Sequence, residues 1–159
     1  MIKIITFLTI LLFSFGCSFK TSFTKPDMVL QKSLSWTKKG EIYNSLEVKV
    51  AVFATYVNPL VKTKGDDEEF VVSIFIDDDY KEKSKYGLNN PDISLTLDGV
   101  KPLSKKELDD DSRYKRLVPF DNAWAHYYLV KFPKSDKKKM KLIVESQNYG
   151  ATVLTFQKP

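Results

Sequence analysis

From Leu46 to Tyr56 apolar and polar positions alternate. Leu46, Val48, Val50, Val52, Ala54 and Tyr56 fall on one side, and Glu47, Lys49, Ala51, Phe53 and Thr55 on the other. A period of two predicts a strand with one face on a core, and Asn58-Pro59 ends it. Phe70 to Ile76 repeats the pattern, with Phe70, Val72, Ile74 and Ile76 on a common face, and stops at Asp77. Ile93 to Leu97 is a third strand, closed by the turn signal Asp98-Gly99. Trp124 to Phe132 is apolar on both faces: Trp124, Tyr128, Val130 and Phe132 on one, Tyr127 and Leu129 on the other. Such a strand is expected near the centre of a sheet, covered on both sides. Met140 to Val144 and Ala151 to Phe156 predict a closing hairpin around Asn148-Tyr149-Gly150. Leu30 to Trp36, before Lys39-Gly40, fits a further strand or a short helix.

One helix is predicted in the long connection between the third and fourth strands. Ser104-Lys105-Lys106-Glu107 has the S-x-x-E capping pattern, with Leu103 and Leu108 near staple spacing. Six or seven short strands with one long crossover predict an all-β fold, an antiparallel β-sandwich that is immunoglobulin-like in outline. An open barrel is the alternative. The 159 residues suffice for one domain with a single core, and residues 29–159 are assigned to it.

The N-terminus has a different character. Lys3 provides a positive start, Ile4 to Phe15 form an apolar run, and polar sequence follows from Ser18. These are the parts of an export signal. About a dozen apolar residues fall short of the roughly 20 that cross a hydrocarbon core as a helix. The stretch Leu11-Leu12-Phe13-Ser14-Phe15-Gly16-Cys17 resembles the lipobox of bacterial lipoproteins. The resemblance implies a signal peptide over residues 1–16, cleavage before Cys17, and acylation of that cysteine on its sulfur and often its amine. It covers the signal and its junction only; residues 18–159 resemble no recognised family. Cys17 is the only cysteine in the chain, so a thioether there would leave the exported domain without a thiol to oxidise. Residues 17–28 read as a lipidated tether. Ser18 after the cysteine, rather than Asp, favours an outer membrane facing the periplasm if the cell has two membranes.

Composition changes the picture little. With 43% hydrophobic and 28% charged residues the chain is globular. Phe, Tyr and Trp, numbering 11, 8 and 2, favour strands. The net charge is +5, and +4 without residues 1–16, which contain Lys3 and no acid. Lysines alternate with the acidic runs Asp66 to Glu69, Asp77 to Asp79 and Asp109 to Asp111. That distribution argues against a nucleic-acid partner, which calls for a basic face. The densest basic run, Lys134 to Lys141, reads as a solvated turn between strands.

Catalytic signals are weak. His126, the only histidine, lies in the most apolar strand with no nucleophile or carboxylate beside it in sequence. S-x-x-K occurs at Ser22–Lys25, Ser35–Lys38 and Ser135–Lys138, without the partner motifs of serine acylases. No zinc or iron–sulfur ligand set and no nucleotide fingerprint is present, so no cofactor is expected. Asp77, Asp78, Asp79, Asp109, Asp110 and Asp111 are the residual candidates for Ca²⁺; solvated loops account for them better. Trp36, Tyr43, Trp124, Tyr127 and Tyr128 could line a sugar or peptide surface. Tyr127 and Tyr128 must point to opposite faces, so one of them could present its ring to a partner.

The expectation is therefore a non-enzymatic envelope lipoprotein, accessory to another envelope component and held by lipid on Cys17. A glycan- or peptide-binding module is the first alternative. A hydrolase whose site is assembled from distant residues is the second.

Overall fold

The structure, a computed structural model, describes residues 28–62 and 65–159. The expected signal segment, Cys17 and the tether up to residue 27 lie outside the described residues. One helix, α1 (Met28–Ser35), precedes eight strands. These are β1 (Thr37–Asn44), β2 (Glu47–Tyr56), β3 (Glu68–Ile76), β4 (Ile93–Leu97), β5 (Ser104–Glu107), β6 (His126–Phe132), β7 (Lys139–Ser146) and β8 (Gly150–Gln157). They form a five-stranded sheet in the order β1-β2-β3-β6-β5 and a three-stranded sheet in the order β4-β7-β8. Every pairing is antiparallel. The fold is an all-β sandwich.

Alternation decides which residues meet. Val50, Val52 and Ala54, Phe70, Val72 and Ile74, and Tyr128, Val130 and Phe132 point inward from the large sheet. Leu95, Leu97, Met140, Leu142, Val144, Leu154 and Phe156 meet them from the small one. The strand that is apolar on both faces, β6, sits between β3 and β5. Its second face, with Val71 of β3, packs Tyr127 and Leu129 under Val57, Leu117 and Val118. The connection over residues 98–125 supplies Leu117 and Val118, so the large sheet is covered on part of its outer face.

Several expectations are corrected. The helix expected at Ser104–Glu107 is strand β5, paired with Lys131 to Tyr128 of β6. Glu107 does not cap Ser104; it accepts a hydrogen bond from the Tyr86 hydroxyl. A local capping preference of about 1 kcal/mol gives way to a ladder that continues through Leu103 N–H to Lys131 O and Leu108 N–H to Tyr127 O. Among the described residues the one α-helix is α1, so Leu30 to Ser35 is helical and the expected tether ends in it at Met28.

β1 runs through Lys39-Gly40, with Gly40 opposite Val52. A Cβ on Gly40 would stand 2.7 Å from Thr152 Oγ1 and 3.3 Å from Leu154 Cδ2, so glycine admits β8 close to this strand. Leu46 lies in the β1–β2 turn and is exposed, not inside β2. Trp124 is likewise outside its expected strand, because Asn122 turns the chain: its Oδ1 accepts the Trp124 N–H and its carbonyl the Ala125 N–H.

Candidate ligand groove

The crossover does more than cover the sheet. Between it and the β5–β6 edge lies an open groove of about 700 Å³, with Tyr127 in its floor, Glu107 and His126 on one side, and Lys115, Phe120 and Asp121 on the other. Tyr127 is 4% exposed. Its hydroxyl accepts the Asn122 N–H at 2.8 Å and lies 3.3 Å from Asp121 Oδ1. Lys115 Nζ stands 4.6 Å from the centre of the Tyr127 ring, 2.7 Å from Asp110 and 4.0 Å from Asp121. The hydrogen bond to Asp110 holds the ammonium above its ordinary pKa and the carboxylate below its own. One cation and one phenol thus tie both halves of the crossover to β6.

At the other wall the Tyr86 ring stacks on His126, with ring centres 3.8 Å apart. The Tyr86 hydroxyl donates to Glu107 Oε1 at 2.7 Å, and this bond raises the phenol pKa. His126 Nδ1 lies 3.7 Å from the same oxygen, and Lys83 Nζ lies 3.5 Å from Oε2. Glu107 is therefore a shared acceptor. A nucleophilic triad needs a hydroxyl bonded to the imidazole. Among the described residues no serine or threonine hydroxyl is bonded to His126, and the tyrosine beside it donates elsewhere.

Two aromatics project from the loop. Trp124 is 79% exposed, and Phe120 is 46% exposed while resting on Phe53 of β2 at 5.1 Å. The side chains singled out from the sequence are thus divided. Trp124 and Tyr43 are exposed, Tyr127 fastens the loop, and Tyr128 lies in the main core. Trp36 packs edge-on against Tyr56, and Tyr43 donates to Glu41 on β1. Phe120, Lys115 and Tyr86 were not expected. Phe120 had a signal, an apolar ring set in the turn-forming run Pro119-Phe120-Asp121-Asn122.

The acidic runs go to separate partners. Asp77 pairs with Lys49 at 2.7 Å. Asp79 accepts the Gly87 N–H, the Tyr80 N–H and the Asn90 amide, closing the loop after β3. Asp78 takes a positive φ at the strand end. Asp110 pairs with Lys115, the Asp109 carbonyl accepts the Ser112 N–H, and Asp111 is exposed. The described residues hold no group of three or more His, Cys, Asp or Glu placed to share a metal ion. No described helix is long and apolar enough to cross a membrane. Comparison of the chain with protein-family models, with curated proteins and with solved structures finds no match.

Proposed function

We propose that this chain is a lipid-anchored envelope protein whose sandwich binds another envelope component, without catalysis, through the groove on the outer face of its large sheet. The observation that carries the reading is a loop fastened to β6 that presents two exposed aromatic rings, Phe120 in the groove lining and Trp124 between the lining residues Ala123 and Ala125. Trp124 and Phe120 stand exposed, while Lys115 and Tyr127 fix the loop beneath them. Large rings held on a fixed frame lose little conformational freedom on binding and dominate contact energies. A glycan is the second reading, favoured by Phe120 lining the groove together with Asp121, Asn122 and His126, which offer hydrogen bonds to hydroxyl groups.

The anchor is supported by Cys17 at the end of the apolar run. Each buried methylene contributes about 0.8 kcal/mol, so two or three acyl chains hold a protein on a bilayer where one does not. Cys17→Ala is expected to abolish metabolic labelling with palmitate and to move the protein out of the membrane fraction. A wild-type chain that never takes label would sink the anchored reading.

The groove is tested by crosslinking in intact cells, with the wild type compared with Trp124→Ala. Trp124 buries little, so its loss is expected to change stability by no more than about 0.5 kcal/mol. The captured partner is expected to disappear. A crosslink that survives Trp124→Ala and Phe120→Ala together would place the contact on another surface.

A further inference from the structure

The run Lys134 to Lys141 takes on a second meaning from its place in the fold. It lies at the end of the sandwich where the chain enters: β1 begins there, β6 and β8 end there, and β7 begins there. Lys139 and Lys158 share a recess of about 390 Å³ with Ser35, Trp36 and Lys38, directly after α1. Lys158 is held by Glu68 and by the Ser135 carbonyl. Lys38, Lys138 and Lys139 make no ion pair among the described residues.

Most carboxylates at this end are paired or buried; Asp136, exposed within the run, and half-buried Asp67 make no ion pair among the described residues. Asp66 pairs with Lys134 and Asp98 with Lys137, while Glu68 and Glu69 are buried against Lys158 and Lys131. The opposite end has the reverse balance. There Lys49 is neutralised by Glu47 and Asp77, Lys83 by Glu107 and Lys85 by Glu82, and exposed Lys81 makes no ion pair among the described residues. Asp78, Asp92 and Glu145 add further negative charge at that end. The domain is therefore polarised along its strands, and such an asymmetry orients a molecule in an external field.

We propose that the basic end, centred on Lys38, Lys138 and Lys139, docks on an anionic lipid bilayer. The proposal deepens the anchored reading and rests on it for its setting. Ten residues separate Cys17 from Met28, a reach of at most roughly 35 Å. An acylated Cys17 would thus keep α1 and the lysines near the headgroups. Exposed Met28, Leu30 and Leu34 of α1 add apolar contact at the same entry point. Lysines are compact point charges suited to a diffuse anionic surface, where forked arginines recognise single phosphates. Docked in this way, the domain would stand with its acidic end away from the bilayer and its groove facing sideways.

The test uses the chain from residue 17 with Cys17→Ser, so that no acyl group contributes. Every core side chain lies between Trp36 and Phe156, so removing residues 1–16 takes nothing from the described core. Sedimentation is compared with vesicles of phosphatidylcholine alone and with vesicles containing one-third phosphatidylglycerol. Preferential binding to the anionic vesicles is expected, and it should weaken with salt. Lys38→Glu, Lys138→Glu and Lys139→Glu together are expected to weaken it by about 100-fold or more, since each lysine near such a surface contributes about fivefold. All three sites are at the surface, and circular dichroism would show the fold unchanged. Lys81→Glu, the same charge change at the far end, should leave binding within about twofold. No preference for phosphatidylglycerol, or an equal loss with Lys81→Glu, overturns the docking surface. Palmitate labelling of Cys17 without vesicle preference would leave the anchor standing and remove the surface. Preference without labelling would do the reverse.

Discussion

Replacing Gly87 with alanine is expected to cost about 2–5 kcal/mol of stability, a large share of the roughly 5–15 kcal/mol that holds a domain of this size together. Two costs add. Gly87 has φ +57°, where an L side chain is disfavoured by about 1–2 kcal/mol. A Cβ built there lies 2.5 Å from the Tyr128 hydroxyl, 3.1 Å from Tyr128 Cε2 and 3.2 Å from His126 Cβ. Tyr128 is 1% exposed and wedged between the sheets, so it has no free space to move into. Overpacking of that kind costs about 1–3 kcal/mol more. Gly87 cannot swing away either, because its N–H donates to Asp79 at 2.6 Å. The check is the urea midpoint at unchanged slope. Combining Gly87→Ala with Tyr128→Phe removes the closest contact and should return part of the loss, leaving the backbone strain. A Gly87→Ala variant that loses less than about 1 kcal/mol would mean the loop moves freely, and the rigid Tyr86–His126 wall of the groove would then be in doubt.

The same contrast, between what burial dictates and what only long-range contact dictates, separates the readable parts of the sequence from the rest. β2, β3, β4, β6, β7 and β8 were legible because each buries alternate side chains, and burial writes a period of two into the chain. β1 and β5 were not. They are the two edges of the large sheet, β1 buries only Ile42, and Ser104–Glu107 buries nothing. Such segments are strands because a neighbour offers them a ladder, and their own residues spell turn or helix. The groove divides along the same line. His126, Tyr127 and Trp124 drew notice through the apolarity of their segment, although Tyr127 serves as a fastener. Lys115 and Tyr86 acquire their roles from Tyr127 and Glu107, 12 and 21 residues away. Asp66 to Glu69 looks like a solvated run, yet β3 begins at Glu68 and carries two of its carboxylates into the protein.

Those carboxylates carry the second large effect: Glu68→Ala is expected to cost about 3–5 kcal/mol. Glu68 is 2% exposed, on the inward face of β3 at its first residue. Its Oε2 accepts the Tyr56 hydroxyl at 2.6 Å. Its Oε1 accepts the Ser135 N–H at 3.0 Å and the Lys158 ammonium. One side chain therefore joins β2, the β6–β7 loop and the end of the chain after β8. Alanine would leave the Tyr56 hydroxyl and the Ser135 amide without partners in a site that admits little water, and stranded donors cost more than the bonds gained by making them. Glu68→Gln keeps the shape and one acceptor, and its NH2 can donate to the Tyr56 hydroxyl oxygen while its carbonyl accepts the Ser135 N–H, but it loses the charge. It should cost roughly 1–3 kcal/mol, since Lys158 sits at the chain end and can turn its ammonium to solvent. Lys158→Met tests the converse, and leaving Glu68 buried without its cation should cost as much as removing Glu68 itself. If Glu68→Ala and Lys158→Met add in the double variant, the two groups act independently. A strong departure from additivity in unfolding measurements is the expected result. It would mean that the two groups act as one clasp, added to the burial of Leu154 and Phe156, on the last strand at the basic end of the sandwich.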